Sequence, residues 1–474
     1  MVYKMKQGTK VELRKALIAG VFAVSGAVVA AQPVIAQAPT AQPRRTPAPE
    51  VLLPTPAPVV APPAPTTKAG APVIGIPEVQ PLPVAEPVMA WPLADARALL
   101  AVIDTIDGEG LFAKDYQPEA LRAAIAGGAG SALDAVASKS FAWLAEDLRD
   151  GRTPMESRVQ WFAVDPDQDE TPTSMLMTKA LATHNVAGTL AELAPTHPDY
   201  QALKAALATT PKTDAATRSK IRINMDRWRW LRRDLGEIYL IANVPEFQLR
   251  LMKANHQLVK TFRTVVGKPG RTATPQLAEE VKAVVFNPTW TVPQSIVVGE
   301  GLGASLMRAP RKGYKVTRNS DGSLTVVQQP GPSNSLGVMK IDMPNPHAIY
   351  LHDTPAKQYF NQAVRAESHG CIRTQNALVL GMTMAIMGAD MPQEQLIANA
   401  TSGKYTKVPM TRTFPVYISY FTMGQDTGMT GNVVSYADIY RRDAPVLASF
   451  AKARELKTTQ RISSEPVIQL DNPL

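Results

Sequence analysis

The chain has 474 residues, 45% of them hydrophobic and 19% charged, enough to bury the cores of two or three domains and too apolar for a disordered polymer. Fifty Lys and Arg against 41 Asp and Glu leave a net charge of +9. That bias suits an anionic polymer or a membrane surface, no nucleic-acid motif accompanies it, and a single cysteine excludes an internal disulfide.

Residues 1–36 read as an export signal. Lys4, Lys6, Lys10, Arg14 and Lys15 form a basic head, Ala16–Ala31 an apolar centre, and Val34-Ile35-Ala36 a small-residue cleavage site. An uncleaved anchor is the competing reading, and the apolar run is short for a membrane span. The membrane is therefore expected as a partner only in transit. Residues 37–92 form a Pro/Ala-rich linker: 16 of the 41 prolines fall between Pro39 and Pro92, a composition that favours extended polyproline conformation over a core.

A helical domain is expected over 93–220. Asp95–Gly108, Pro118–Ala126, Ala132–Asp150, Thr173–His184 and Asp199–Thr209 carry apolar residues three and four apart, and Gly151 closes the third helix. His184 and His197 each stand alone and read as surface or loop residues. Ile221–Arg233 continues as a helix in which Trp228 and Leu231 face a core and the arginines stay solvated.

From Tyr239 the period becomes strand-like. Tyr239–Val244, Phe247–Met252, Leu258–Val266 and Val281–Phe286 are short β-rich runs, followed by Trp290–Pro293, Tyr314–Thr317, Leu324–Gln328, Val338–Asp342 and Ala348–Leu351. The expected fold class is α+β: a mainly helical N-terminal domain, then a mostly β domain over 221–445 with a largely antiparallel sheet. Asn376–Met387 reads as a helix after the turn that carries the cysteine. Residues 446–474 read as a polar C-terminal tail, loose from Lys457 onward.

The chemistry concentrates in Tyr350–Arg373. Cys371, the only cysteine, sits in Ser368-His369-Gly370-Cys371-Ile372-Arg373, with His352 upstream at the end of an apolar run. A thiol is a good nucleophile only as thiolate, so it needs a base or cation to lower its pKa from about 8.5. His352 can be the base, and His369 and Arg373 can supply charge. Gly370 allows a tight turn that aims N–H groups at an oxyanion. Together these residues are the material of cysteine acyl transfer.

This stretch resembles the L,D-transpeptidases of bacterial peptidoglycan, whose signature is a histidine, a spacer of about fifteen residues, then Ser/Thr-His-Gly-Cys, an apolar residue and Asn or Arg. His352, the spacer Asp353–Glu367 and the hexapeptide fit it in the Arg variant. The Gly110–Tyr116 loop, Asp147–Arg152 and Asn224–Leu231 are similar to the helical scaffold of the large periplasmic members, without their inserted peptidoglycan-binding module. The resemblance implies a periplasmic enzyme with Cys371 as nucleophile and His352 as base. It also implies a site lined by Tyr350, Ser368, His369, Gly370 and Arg373, and a lid inserted over about 293–346 with a short helix at Leu302–Met307. Trp290 and Asn334 are expected in the cleft. Substrates would be peptidoglycan stem peptides, with another stem, an outer-membrane protein amine or water as acyl acceptor. No cofactor is implied. The rival from another class is a zinc site of His352, His369 and Cys371, which lacks a fourth ligand at a usual spacing; an inactive peptidoglycan-binding protein is the third reading.

Overall fold

The computed structural model describes residues 87–164, 167–427, 432–457 and 460–465. The expected export signal and nearly all of the linker lie outside them. Among the described residues no helix is long and apolar enough to cross a membrane.

The fold is α+β. Helices at Leu93–Thr105, Pro118–Ala126, Ser131–Asp150, Thr173–Ala182, Val186–Ala191, Pro198–Thr209 and Ala215–Trp228 precede the strands. Leu133, Phe141, Leu144 and Leu148 pack the long central helix against Leu99, Ile103, Leu121 and Leu176. Each such side chain removed from water is worth about 1.5–3 kcal/mol. Gly151 ends this helix at φ +86, and a Cβ there would lie 2.7 Å from Cδ1 of Trp230.

Strands β1 (Ile238–Asn243), β2 (Gln248–Lys253), β3 (Gln257–Gly267), β4 (Leu277–Phe286), β8 (Met339–Asp342), β9 (Leu351–His352), β11 (Ile372–Thr374) and β12 (Thr406–Ser419) form the main sheet, and β10 (Ala366–Ser368) adds to β3. Because β2 also pairs with β3, the order β3-β11-β9-β8-β4-β12-β1-β2 returns on itself as a barrel-like sheet. The sheet is mixed. Most of its pairings are antiparallel, as expected, while β1 with β12, β9 with β11 and β10 with β3 are parallel. The run Tyr239–Ala242 reads as continuously apolar because both its faces are covered. Leu240 and Ala242 point into the sheet's own core, which also holds Leu380 and Met384 of the helix Ala377–Ala389. Tyr239 and Ile241 point outward onto Tyr200, Leu203 and Trp228 of the helical part.

Several expectations shift at this junction. The arginines around Trp228 are buried, not solvated: Arg227 reaches Asp443 at 2.6 Å, and Arg229 meets the Tyr200 hydroxyl at 2.6 Å. Asp226 holds the segment after Gly151 by accepting from the N–H groups of Arg152 (2.6 Å) and Thr153 (3.1 Å). His197 is buried and stacked on Trp228 at 4.1 Å, because its ring fills the gap between the helices and β2; His184 stays exposed beside Asp95. Nor does the expected polar tail begin at 446. Val446 and Phe450 are buried on the helix Asp443–Ala451, and Arg454 reaches Glu146 at 2.5 Å.

The insertion expected as a lid is smaller than its expected bounds. Strands β5 (Trp290–Thr291), β6 (Tyr314–Arg318) and β7 (Leu324–Gln328) make a separate three-stranded sheet with the helix Leu302–Arg308. Its own core is Val292, Ile296, Val297, Leu306 and Val326. Residues 339–342 belong to the main sheet instead, since β8 pairs with β4 and β9.

Candidate active site

The site lies where three short strands run side by side. In register, Lys340 of β8 stands opposite His352 of β9, and His352 opposite Arg373 of β11. The next row, Ile341, Leu351 and Ile372, points into the core. Since side chains alternate along a strand, Tyr350, His352, Cys371 and Arg373 share the outer face with Lys340. A two-residue step in each of β9 and β11 thus brings together groups that the sequence separates.

Cys371 is partly buried at the start of β11. Gly370 before it has φ +118, and a Cβ would lie 3.0 Å from Ile349 Cδ1, so the turn requires glycine. Ser368 clamps that turn. Its hydroxyl donates to the Cys371 carbonyl at 2.6 Å and accepts from the Gly370 N–H at 3.2 Å. Thr274 fastens it from outside by donating to the Gly370 carbonyl at 2.8 Å. The thiol lies 3.5 Å from the Ala348 carbonyl, which Ala348 presents from the left-handed region at φ +52. Asn345 shapes this loop, donating to the carbonyls of Met343 (2.6 Å) and Ile349 (2.7 Å) and accepting from the N–H of His347 and Ile349. Neither Thr274 nor Asn345 was singled out from the sequence. The Asn345-Pro346 dipeptide is the turn signal that could have pointed to the second.

Tyr350 is buried on the same face as Cys371, and its carbonyl accepts from the Ile372 N–H at 3.1 Å. Trp290 of β5 packs against the core that contains Tyr350. His352 is buried, and its Nδ1 bonds the carbonyl of the adjacent Asp353. That bond assigns the ring proton to Nδ1 and leaves Nε2 as the acceptor. The Asp353 carboxylate itself is turned away to Lys357 and the Val338 N–H. The orienting group is therefore a backbone carbonyl, which no sequence pattern displays.

Electrostatics here differ from the sequence expectation. Burial pushes the Cys371 thiol up to about 11, with Tyr350 and the charges of Lys340 and Arg373 only partly opposing it. Burial together with Arg373 pushes the His352 imidazole down to about 3. Both shifts favour the neutral thiol and the neutral imidazole at rest over the thiolate expected from neighbouring charge. The partly buried Arg373 lies over the Tyr359 ring at 5.5 Å. His369 is exposed and points to the insertion, where Glu300 meets its Nε2 at 2.9 Å. Hence His369 does not join His352 and Cys371, and among the described residues no group of three His, Cys, Asp or Glu is arranged to hold a metal. Asn334 is fully buried and bonds the carbonyls of Pro288 and Gln329, so it does not line the cleft.

Residues 237–382 match the model of the L,D-transpeptidase catalytic domain, and residues 89–207 match that of the scaffold domain. The chain carries an L,D-transpeptidase catalytic domain. The transpeptidase match contains the whole constellation from Lys340 to Arg373. A Haemophilus influenzae relative named "Putative L,D-transpeptidase" is 27% identical over 226 residues, which are 44% of this chain and 45% of that protein. The chain thus spans less than half of that relative. Among solved structures, Mycobacterium tuberculosis L,D-transpeptidase 1 is similar at 13% identity over 38% of this chain and 60% of that one, with a TM-score of 0.19. A mutant Enterococcus faecium L,D-transpeptidase is similar at 10% identity over 39% and 50%, with a TM-score of 0.18.

Proposed function

We propose that this protein is a periplasmic peptidoglycan L,D-transpeptidase that works through a Cys371 thioester. The observation that carries the proposal is the shared face of Tyr350, His352, Cys371 and Arg373, with the His352 Nδ1 fixed so that Nε2 is free to take a proton. The donor is a tetrapeptide stem, cleaved at the amide between the L-centre of diaminopimelate and the terminal D-alanine. As the sulfur attacks that carbonyl, its proton passes to His352, the S–C bond forms and the C–N bond breaks. The departing D-alanine amine takes the proton back from the imidazolium. An amine of a second stem then attacks the thioester, gives its proton to His352 and expels the sulfur, which is reprotonated. The product is a diaminopimelate–diaminopimelate crosslink.

Because the neutral pair is favoured at rest, thiolate arises with attack and not before it. The N–H groups around the Gly370 turn and the Arg373 guanidinium are the donors available to the oxyanion. A protein amine or water as acceptor would use the same first half-reaction. Purified protein incubated with tetrapeptide muropeptides should release D-alanine and form dimers, and Cys371→Ser should do neither while keeping the wild-type fold. Full crosslinking by Cys371→Ser would overturn the proposal.

A further inference from the structure

Lys340 lies outside the motif that marks the site, yet the sheet sets it directly across from His352 on the side opposite Arg373. Its side chain is buried, a costly place for an ammonium that only has to fill space. The ammonium lies 4.4 Å from the centroid of the Tyr350 ring, on the face that carries Cys371. Asp342, two residues along β8, stands 3.3 Å from Lys340 and 2.9 Å from Lys407. One carboxylate therefore serves two ammonium groups, and the cluster keeps a net positive charge beside the sulfur.

We propose that Lys340 is a positioning residue for the nucleophile: held over Tyr350, its ammonium favours the Cys371 thiolate through its own charge and by polarising the Tyr350 hydroxyl. The inference rests on the reading of Cys371 as nucleophile. A cation over an aromatic face draws electron density from the ring, so the hydroxyl becomes a stronger donor to an anion. Burial lowers the Lys340 ammonium from its ordinary value, while Asp342 and the sulfur act in the other direction, as expected of charges in reach of one another. The other charged or titratable groups facing this cluster are His352 on β9, Arg373 on β11 and Lys407 on β12, with Lys357 beside His352 and Tyr359 and Glu367 beside Arg373.

The test is the rate of Cys371 alkylation by iodoacetamide against pH, read with thermal stability, kcat and KM. Lys340→Met should move the alkylation profile to higher pH and slow the reaction at pH 8 by about three- to tenfold, one pH unit being tenfold in thiolate. It should also lower kcat more than it raises KM, and Lys340→Arg should restore both. Should Lys340→Met fail to fold, Asp342→Asn keeps the test alive with the opposite sign, because an unneutralised Lys340 should move the profile to lower pH. A lysine that only packs predicts lower stability with an unmoved profile. One that only binds a donor carboxylate predicts a raised KM with an unmoved profile. Either result overturns the proposal. Failure of the underlying reading looks different: Cys371→Ala would lose labelling yet still transfer acyl groups.

Discussion

His352 shows how a residue's sequence position and its physical state part company. The spacing to Cys371 marked it as the base, and the strand register gives it the same outer face as the thiol. Its burial was not legible, because it comes from strands that the sequence does not show to be neighbours, and its bond to the Asp353 carbonyl was not, because a backbone acceptor leaves no mark in the residue pattern. His352→Ala is expected to slow acyl transfer by about 10²–10⁴-fold, the usual worth of a general base. Alkylation of the thiol at pH 10 should persist in that variant, since there hydroxide replaces the base. Equal loss of both would mean that His352 only supports the fold. Gly151 illustrates a purely structural requirement: Gly151→Ala combines a left-handed φ with a 2.7 Å approach to Trp230. It should lower stability by about 2 kcal/mol or more, read from denaturant unfolding, with alkylation of Cys371 in the folded fraction unchanged.

Among the elements, the insertion was legible as an interruption rich in Gly, Pro and Ser, but not in its extent. β8 looked like lid from composition and is body by pairing, because four residues do not reveal their partners. The insertion's separate core makes it a unit that can loosen by itself. Val326→Ala should therefore raise hydrogen exchange in β6 and β7 while leaving exchange in β1 and β12 at wild-type rates. Equal acceleration in all four strands would mean that insertion and body unfold as one. The exposed Glu300–His369 pair at its edge is a weak tie, worth about 0–1 kcal/mol. The packing of Trp290 against the core that holds Tyr350 is the other tie between this insertion and the body.

At the scale of the molecule, the helical and β parts share a continuous apolar contact from Tyr200 to Tyr417, with the tail segment 443–457 bound across it. The α+β class and the helix order were readable from periodicity. The closure of the sheet was not, since it depends on long-range pairing of β2 with β3 and of β1 with β12. Three buried histidines, His197, His347 and His352, whose pKa values are all lowered by burial, also set a pH dependence. His352 is held down to about 3, and burial keeps His197 well below its ordinary value. Below about pH 6.5 the unfolded chain binds more protons on these imidazoles than the native state does, so stability falls with pH through that window. The slope is at most about 1.4 kcal/mol per pH unit for each histidine, and His197→Gln should flatten it in urea titrations between pH 7 and 5. An unchanged slope would remove His197 from this account. The central claim, that Cys371 carries the acyl group, is tested most directly by intact-mass spectrometry of protein mixed with a tetrapeptide stem and quenched in acid. The wild type should gain the mass of the stem less D-alanine, localised to the peptide containing Cys371, and Cys371→Ala should gain nothing. The same adduct on Cys371→Ala, or on any other residue of the wild type, would contradict it.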